Sequence, residues 1–385
     1  MHILHLAPYY APAYSFGGVV SMLEGLAQAQ VAQGHQVTVL TSDALSLDTR
    51  YRGQYDEILD GVRVIRCRNW VYQLRRYNLN TPFGMASIAE TIMPNVDIVH
   101  LHEFRTIENL LLVPVAARHH KPIVLSPHGT LTYSTGRSRL KSFWDQWLSP
   151  RITPHIHHVI ALAASEKDDV QQTWSQFDRD IDIRVIPNGV NLAPYQHLPN
   201  SDAFREKYGL GDAQVILFMG RLHQRKGVDV LAQAFQQANL PNTKLLFVGP
   251  DEGMQATIKA LDNEHIILTG FLEGDDRLAA FASADLFVLP AIGEGLSMAA
   301  LEAMASGIPV LLSEGCNLPE AVSAGAGYII PIDAAEIADS LVNVLADTGK
   351  LSQMGRNAQQ LIAEQFTWDT IAQQMIKYYK NLSTP

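Results

Sequence analysis

Short runs of β-branched and apolar residues alternate with segments of helical period along the whole chain, and this alternation restricts it to parallel sheets covered by helices. In the first half the strand-like runs are His2–Leu6, Gln36–Leu40, Val62–Arg66, Asp97–His102, Ile123–Ser126, Val159–Ala163 and Ile183–Pro187. The second half repeats the scheme with Val215–Gly220, Lys244–Gly249, Ile266–Thr269, Leu286–Pro290, Pro309–Ser313 and Gly327–Ile330, each followed by a helix. A chain of 385 residues, 47% of them hydrophobic, is long enough for two cores of roughly 150–200 residues each. The expected fold class is therefore α/β, with two doubly wound Rossmann-like domains.

The boundary falls after Pro187-Asn188-Gly189-Val190, where Pro and Asn-Gly punctuate the chain and a polar stretch follows to Asp202. With the hinge near Asn191, residues 1–191 form the first domain and residues 192–366 the second. The closing Thr367-Trp368-Asp369 leads into Ile371–Tyr379, a capped amphipathic helix that no strand follows. Residues 367–385 are expected to cross back to the first domain.

Charge is unevenly shared, with 17 basic against 17 acidic residues in 1–190 and 12 against 22 in 191–385, so the net charge of -10 belongs to the second half. Such a balance argues against bulk nucleic-acid binding. No apolar run approaches the ~18 residues that span a bilayer, and the N-terminus opens directly on a strand with no leader pattern. A cytoplasmic location is expected, at the inner face of a membrane if the acceptor is lipid-linked. The two cysteines, Cys67 and Cys316, have no second thiol nearby in sequence and are read as reduced and incidental.

The chemistry-bearing residues cluster in two places. In the first, the strand Leu286–Pro290 ends in Ala291-Ile292-Gly293-Glu294-Gly295-Leu296-Ser297, which opens a helix carrying Glu302. Unpaired N–H groups at a helix start attract anions, so main-chain groups of Gly295, Leu296, Ser297 and Met298 can hold a diphosphate or sugar hydroxyls. Glu294 and Glu302 can accept bonds from hydroxyls of a sugar and a ribose, although the same spacing fits a turn carboxylate and a solvated helix acid. In the second place, Gly220-Arg221-Leu222-His223-Gln224-Arg225-Lys226-Gly227 joins another strand to a helix. Arg221 offers a rigid fork and Lys226 a mobile point charge, a pair suited to a diphosphate leaving group. A solvated basic turn has the same composition.

Together and in this order, Gly220-Arg221-x4-Lys226-Gly227 and Glu294-x7-Glu302 make the chain resemble family 4 of the glycosyltransferases. The resemblance runs on through Gly17-Gly18, Pro127-His128-Gly129, Ile186-Pro187-Asn188-Gly189-Val190, Val248-Gly249-Pro250 and Phe366-Thr367-Trp368. It implies the GT-B fold, two Rossmann-like domains facing across a cleft, and a retaining, metal-independent transfer of a hexose from a nucleotide diphosphate sugar. By that resemblance Arg221 and Lys226 bind the diphosphate, Glu294 the donor sugar and Glu302 the ribose. Gly249 and the main chain of Gly270-Phe271-Leu272 lie about the nucleotide, and His128 and Gly17-Gly18 act on the sugar and phosphates from the first domain. No cofactor is implied beyond the donor substrate. Family members are thought to react on one face of the sugar, with the departing phosphate helping to take the acceptor's proton.

His100 and His102 share one strand face with Glu103 next in line, but no fourth ligand follows at recognisable spacing, and no metal is expected. Asp178-Arg179-Asp180 has an Asp-x-Asp spacing but lies between a helix and the hinge strand, as a solvated loop does. Acceptor binding falls to the first domain. There Arg137, Arg139, Lys141 and Arg151 surround Phe143, Trp144, Trp147 and Leu148, and five arginines occur between Gly61 and Ala89 without an acid. Residues 137–151 thus suit either an anionic membrane surface or a helix packing its tryptophans inward. The acceptor is a saccharide or lipid-linked saccharide, as in exopolysaccharide, lipopolysaccharide or glycolipid synthesis. A nucleotide-sugar epimerase and a non-catalytic sugar-nucleotide-binding protein are the competing readings.

Overall fold

Every apolar run named above is a strand in the computed structural model, which describes residues 1–77, 79–131 and 138–382. Met1–Gly189 with Trp368–Pro385 forms one unit and Val190–Thr367 the other. The first holds β1 (His2–Leu6), β2 (Gln36–Ser42), β3 (Asp56–Leu59), β4 (Val62–Cys67), β5 (Ile98–His102), β6 (Ile123–Ser126), β7 (His158–Ala161) and β8 (Asp182–Val185). The second holds β9 (Gln214–Met219), β10 (Thr243–Val248), β11 (Ile266–Gly270), β12 (Leu286–Leu289), β13 (Val310–Leu312) and β14 (Gly327–Ile329).

In the first sheet the order is β3-β4-β2-β1-β5-β6-β7-β8, and in the second β11-β10-β9-β12-β13-β14. All neighbours pair in parallel except β3, which lies antiparallel on β4. Both sheets reverse direction at their first strand, between β1 and β5 and between β9 and β12, as doubly wound sheets do. Strand ends differ from the sequence reading by one or two residues. The larger difference is β3: the expectation that a helix follows every strand fails after β2, where the chain makes a hairpin instead. Asp60 and Gly61 turn it with φ of 49° and 81°, the two positive values of a type I′ turn.

Alternation along the strands sorts the first unit's side chains onto two cores. Leu4, Leu6, Val99 and Leu101 face the helices Met85–Ile92 and Ile107–Arg118. Ile3, Val37, Val39 and Ile98 face the helices Gly18–Ala32 and Trp368–Leu382. Period two therefore sends His5, His100 and His102 to the second face. The closing helix runs three residues beyond Ile371–Tyr379 at each end and packs on Gly18–Ala32. Trp368 fixes the return: a Cβ on Gly25 would lie 2.2 Å from its Nε1 and one on Gly189 2.8 Å from its ring. Only glycine at these two positions lets the indole seat.

Candidate active site

In open parallel sheets, ligands bind beyond the carboxyl ends of the strands at the point where strand order reverses. In the second unit that point lies between β9 and β12, and parallel pairing brings four loops to the same edge. They are the loops after β9, bearing Arg221 and Lys226; after β10, bearing Gly249; after β11, bearing Phe271 and Leu272; and after β12, bearing Glu294 to Met298.

The loops are locked together through backbone. Gly249 donates to the Gly270 carbonyl at 2.9 Å, and Ile292 to that of Arg225 at 2.9 Å. A Cβ on Gly249 would come within 1.9 Å of the Gly220 carbonyl oxygen, and one on Gly227 within 2.1 Å of that of Pro290. Lys226 Nζ meets Glu294 Oε1 at 2.7 Å, with side chains 17% and 19% exposed. The two motifs, 68 positions apart in sequence, thus make one ion pair. Asn317 Nδ2 donates to the Glu294 carbonyl, and the Glu294 amide donates to the Gly315 carbonyl at 2.7 Å, which holds the carboxylate-bearing turn from both sides. Ser297 Oγ accepts from the Ala300 amide at 3.3 Å and so caps the helix Met298–Ala305.

Two of the sequence candidates stand with unforeseen partners. Arg221, 64% exposed, pairs with both oxygens of Glu252 at 3.0 Å. Glu302 is not a solvated helix acid: it forms an ion pair with Arg277, which also donates to the Tyr195 hydroxyl at 3.3 Å. Burial raises the Glu302 carboxyl above its ordinary range against the pull of Arg277. Sequence reading missed Glu252, Arg277, Tyr195 and Asn317, because no local spacing ties them to the carboxylates or cations they meet. Leu272 is buried, whereas Phe271 is 68% exposed. A Cβ on Gly270 would meet nothing within 4 Å.

In the first unit, Gly17 has a φ of 104° and Gly18 starts the helix Gly18–Ala32; a Cβ on either would meet nothing within 4 Å. His128 follows β6 with a φ of 55°, and Glu103 follows β5 with a φ of 66°. Left-handed backbone in non-glycine residues is strained and gathers at functional sites. His128 ends a buried chain of imidazoles. Its Nε2 lies 2.9 Å from His102 Nδ1, His102 Nε2 lies 3.0 Å from His5 Nδ1, and His5 Nε2 lies 2.7 Å from Gln30 Oε1. Each neutral ring carries one N–H, so with Gln30 accepting, every ring donates from Nε2 and His128 keeps Nδ1 as an acceptor. Burial lowers His5 and His128 to about 4 and His100 and His102 well below the ordinary value, which keeps all four neutral.

Ligand atoms of His5, His100 and His102 lie within 4.8 Å of one another, close enough to suggest a metal. All six ring nitrogens already have partners, however, those of His100 being Ser126 Oγ at 2.8 Å and the Tyr379 hydroxyl at 2.7 Å. The rings are accounted for as a hydrogen-bonded core.

Glu103 supplies a pH-dependent contribution of known sign. Burial, with Glu108 nearby, raises its carboxyl to about 7. Its stability contribution is therefore complete below the unfolded value near 4.5 and is lost as pH rises through about 7. The variant Glu103→Gln is expected to match the parent at pH 4 and to exceed it at pH 8 by up to about 3 kcal/mol, read from urea unfolding at the two pH values. An equal gain at both would rule this origin out.

The helix Ser138–Trp147 divides its aromatics. Trp144 is buried, while Leu140, Phe143 and Trp147 are 46%, 56% and 60% exposed. Trp144 thus packs inward while the other three face outward, and Arg137 lies outside the described residues. No helix among the described residues is long and apolar enough to cross a membrane.

The model of Glycosyltransferase Family 4 matches residues 16–194 and that of Glycosyl transferases group 1 matches residues 200–361. The chain is 28% identical to an uncharacterized glycosyltransferase of Methanocaldococcus jannaschii over 96% of its own length and 95% of that protein's. To a phosphatidyl-myo-inositol mannosyltransferase of Mycolicibacterium smegmatis it is 26% identical over 96% and 92%. Among solved structures, Anabaena HepE in complex with UDP-glucose superposes with a TM-score of 0.73 at 20% identity, covering 99% of this chain and 100% of that one. The catalytic domain of Arabidopsis thaliana starch synthase IV does so with 0.76 at 14%, covering 100% and 99%. These superpositions show that the fold is the GT-B architecture. The epimerase alternative finds no support among these proteins.

Proposed function

The chain belongs to the family 4, group 1 glycosyltransferases, and from that premise we propose that it is a retaining, metal-independent hexosyltransferase whose donor is a nucleotide diphosphate sugar. The observation that carries the reading is the Lys226–Glu294 pair at the reversal between β9 and β12. A diphosphate taken between Arg221 and Lys226 exchanges the carboxylate partners of both cations for phosphate oxygens. That exchange frees Glu294 to accept from hydroxyls of the donor sugar. As the bond from the anomeric carbon to the phosphate oxygen breaks, charge grows on the departing diphosphate, where two fixed cations stabilise it most. The acceptor hydroxyl oxygen bonds to the same face of that carbon, and its proton passes to the departing phosphate.

In this reading Glu302, oriented by Arg277, receives the ribose, and Gly249, Gly270, Phe271 and Leu272 surround the base. Amides of Gly295, Leu296, Ser297 and Met298 add main-chain donors. The first unit handles the acceptor, with His128 and Gly17-Gly18 its contribution to sugar and phosphate binding. A saccharide on a lipid carrier is the acceptor class favoured by Leu140, Phe143 and Trp147, which occupy one stripe of a helix beside Arg139 and Arg151.

A thermal-shift panel of UDP-, GDP- and ADP-sugars in EDTA tests the donor and the metal together, since a ligand that binds the native state raises its melting temperature. One donor is expected to stabilise the parent, and Arg221→Ala by less. A shift that appears only after Mg²⁺ or Mn²⁺ is added would overturn the metal-independent reading.

A further inference from the structure

Beside the carboxyl ends of β2 and β4 lies a cavity of 790 Å³ whose lining includes Arg50, Arg52, Arg68, Tyr51, Tyr55 and Tyr72. Three guanidinium groups face a single lining carboxylate, Asp48. Arg50 donates from Nη1 to Asp43 at 3.2 Å, but Asp43 is fully buried and also accepts from the Asn69 amide, Asn69 Nδ2 and the Tyr55 hydroxyl. Arg52 and Arg68 are exposed and make no ion pair among the described residues. Behind the lining, Arg75 is completely buried, and its hydrogen bonds run to the carbonyls of Tyr72, Thr49 and Leu47. Its guanidinium lies over the Tyr72 ring, as does that of Arg50. The field of this buried cation adds to that of the lining arginines, opposed by the Asp43 and Asp48 carboxylates nearby. The Tyr72 hydroxyl is buried without a hydrogen-bond partner among the described residues, a donor left over in a wall rich in positive charge. Beyond the rim, Leu47, Trp70, Val71 and Phe83 are 48%, 77%, 41% and 70% exposed, and the Trp70 and Phe83 rings meet edge to face at 6.2 Å.

We propose that this cavity binds a phosphate or diphosphate group of the acceptor. Arginine forks match phosphate oxygens bidentately, and the exposed aromatics beside them suit an apolar tail carrying that phosphate. The role rests on the reading that the first unit receives the acceptor; the binding itself does not. Only the chemistry of an anion with an apolar neighbour is needed, and either a lipid-borne or a free phosphorylated acceptor supplies the anion.

Inorganic pyrophosphate is titrated calorimetrically, without donor, into the parent, Arg52→Gln/Arg68→Gln and Arg221→Ala. Both exposed arginines can be replaced without disturbing the core. Affinity is expected to fall roughly tenfold or more in Arg52→Gln/Arg68→Gln, as for the loss of charge-assisted bonds, and a saturable site is expected to persist in Arg221→Ala. Binding that survives Arg52→Gln/Arg68→Gln and vanishes in Arg221→Ala would overturn the proposal, as would no binding at all. In the second arm, vesicles of phosphatidylcholine with phosphatidylglycerol are sedimented with the parent and with Trp70→Ser/Phe83→Ser. Sedimentation lost in that variant identifies a lipid phosphate, whereas pyrophosphate binding without vesicle binding identifies a free phosphorylated acceptor. A donor shift that persists while the pyrophosphate site fails sinks only this inference; the reverse sinks the donor assignment.

Discussion

Lys226→Ala is expected to lower kcat/KM for the donor about 10²- to 10³-fold while leaving the melting temperature within a few degrees of the parent. The fold should tolerate the change because the Lys226–Glu294 pair keeps about a fifth of its side-chain surface in solvent, so its loss is expected to cost about 1–2 kcal/mol, between a solvated pair and a fully buried one. Catalysis should not tolerate it, for two reasons of the same sign. The variant removes a preorganised charge aimed at the departing diphosphate, an effect of about 3–4 kcal/mol when one such donor is deleted. It also leaves the Glu294 carboxylate facing that diphosphate with no cation between them. Arg221→Ala is expected to cost less, because Arg221 is 64% exposed and pairs with Glu252 at the rim, where solvent screens it. Steady-state kinetics on the donor found by the thermal-shift panel measures both. A loss of less than about fivefold for Lys226→Ala would remove Lys226 from the diphosphate site.

The second large effect is on stability. Gly227→Ala is expected to destabilise the chain by about 3 kcal/mol or more, because its added methyl meets backbone that cannot yield. Gly227 has a φ of 66°, and its Cβ would sit 2.1 Å from the Pro290 carbonyl oxygen. Pro290 directly follows β12, whose residues Leu286–Leu289 are completely buried, and Ile292 is tied to the Arg225 carbonyl. Relief would require pulling the β9 and β12 loops apart, which adds the cost of overpacking to that of a left-handed alanine. Gly270→Ala is the internal comparison. It has a φ of 77° but open space around the added methyl, so only about 1 kcal/mol of backbone strain is expected. Urea unfolding of the two variants measures the difference, and equal midpoints would show that the Gly227–Pro290 approach does not constrain the fold. Donor-induced stabilisation should also vanish in Gly227→Ala, since the same displacement separates Lys226 from Glu294.

Much of this architecture is local and was readable. Apolar runs locate thirteen strands: ten are buried and apolar along their length, and the edge strands β8, β11 and β14 carry enough apolar residues to be read despite their exposure. The chain's punctuation at Pro187-Asn188-Gly189 sits where the two units part, two residues ahead of the hinge placed at Asn191. β3 escaped because Asp56-Glu57-Ile58-Leu59 is an exposed or half-buried edge strand with no apolar run to betray it. Asp60-Gly61 beside it was nevertheless a legible hairpin signal.

The candidate site divides along the same line. Glycine-rich turns at strand ends, two cations and two carboxylates were visible because strand, turn and helix start are contiguous in sequence. Which carboxylate each cation meets was not. Glu294 meets Lys226, Glu302 meets Arg277 and Arg221 meets Glu252, and each pairing is made by strand order rather than spacing. His100 and His102 show the same limit: their common face followed from period two, but it took β1 beside β5 to bring in His5, and the closing helix to bring in Tyr379. By itself the sequence determined which segments are strands, which turns can hold an anion and which residue types are available there. Tertiary structure alone decided the partners, because ion pairs and hydrogen bonds act over a few ångströms and only the folded sheet brings residues from distant segments that close.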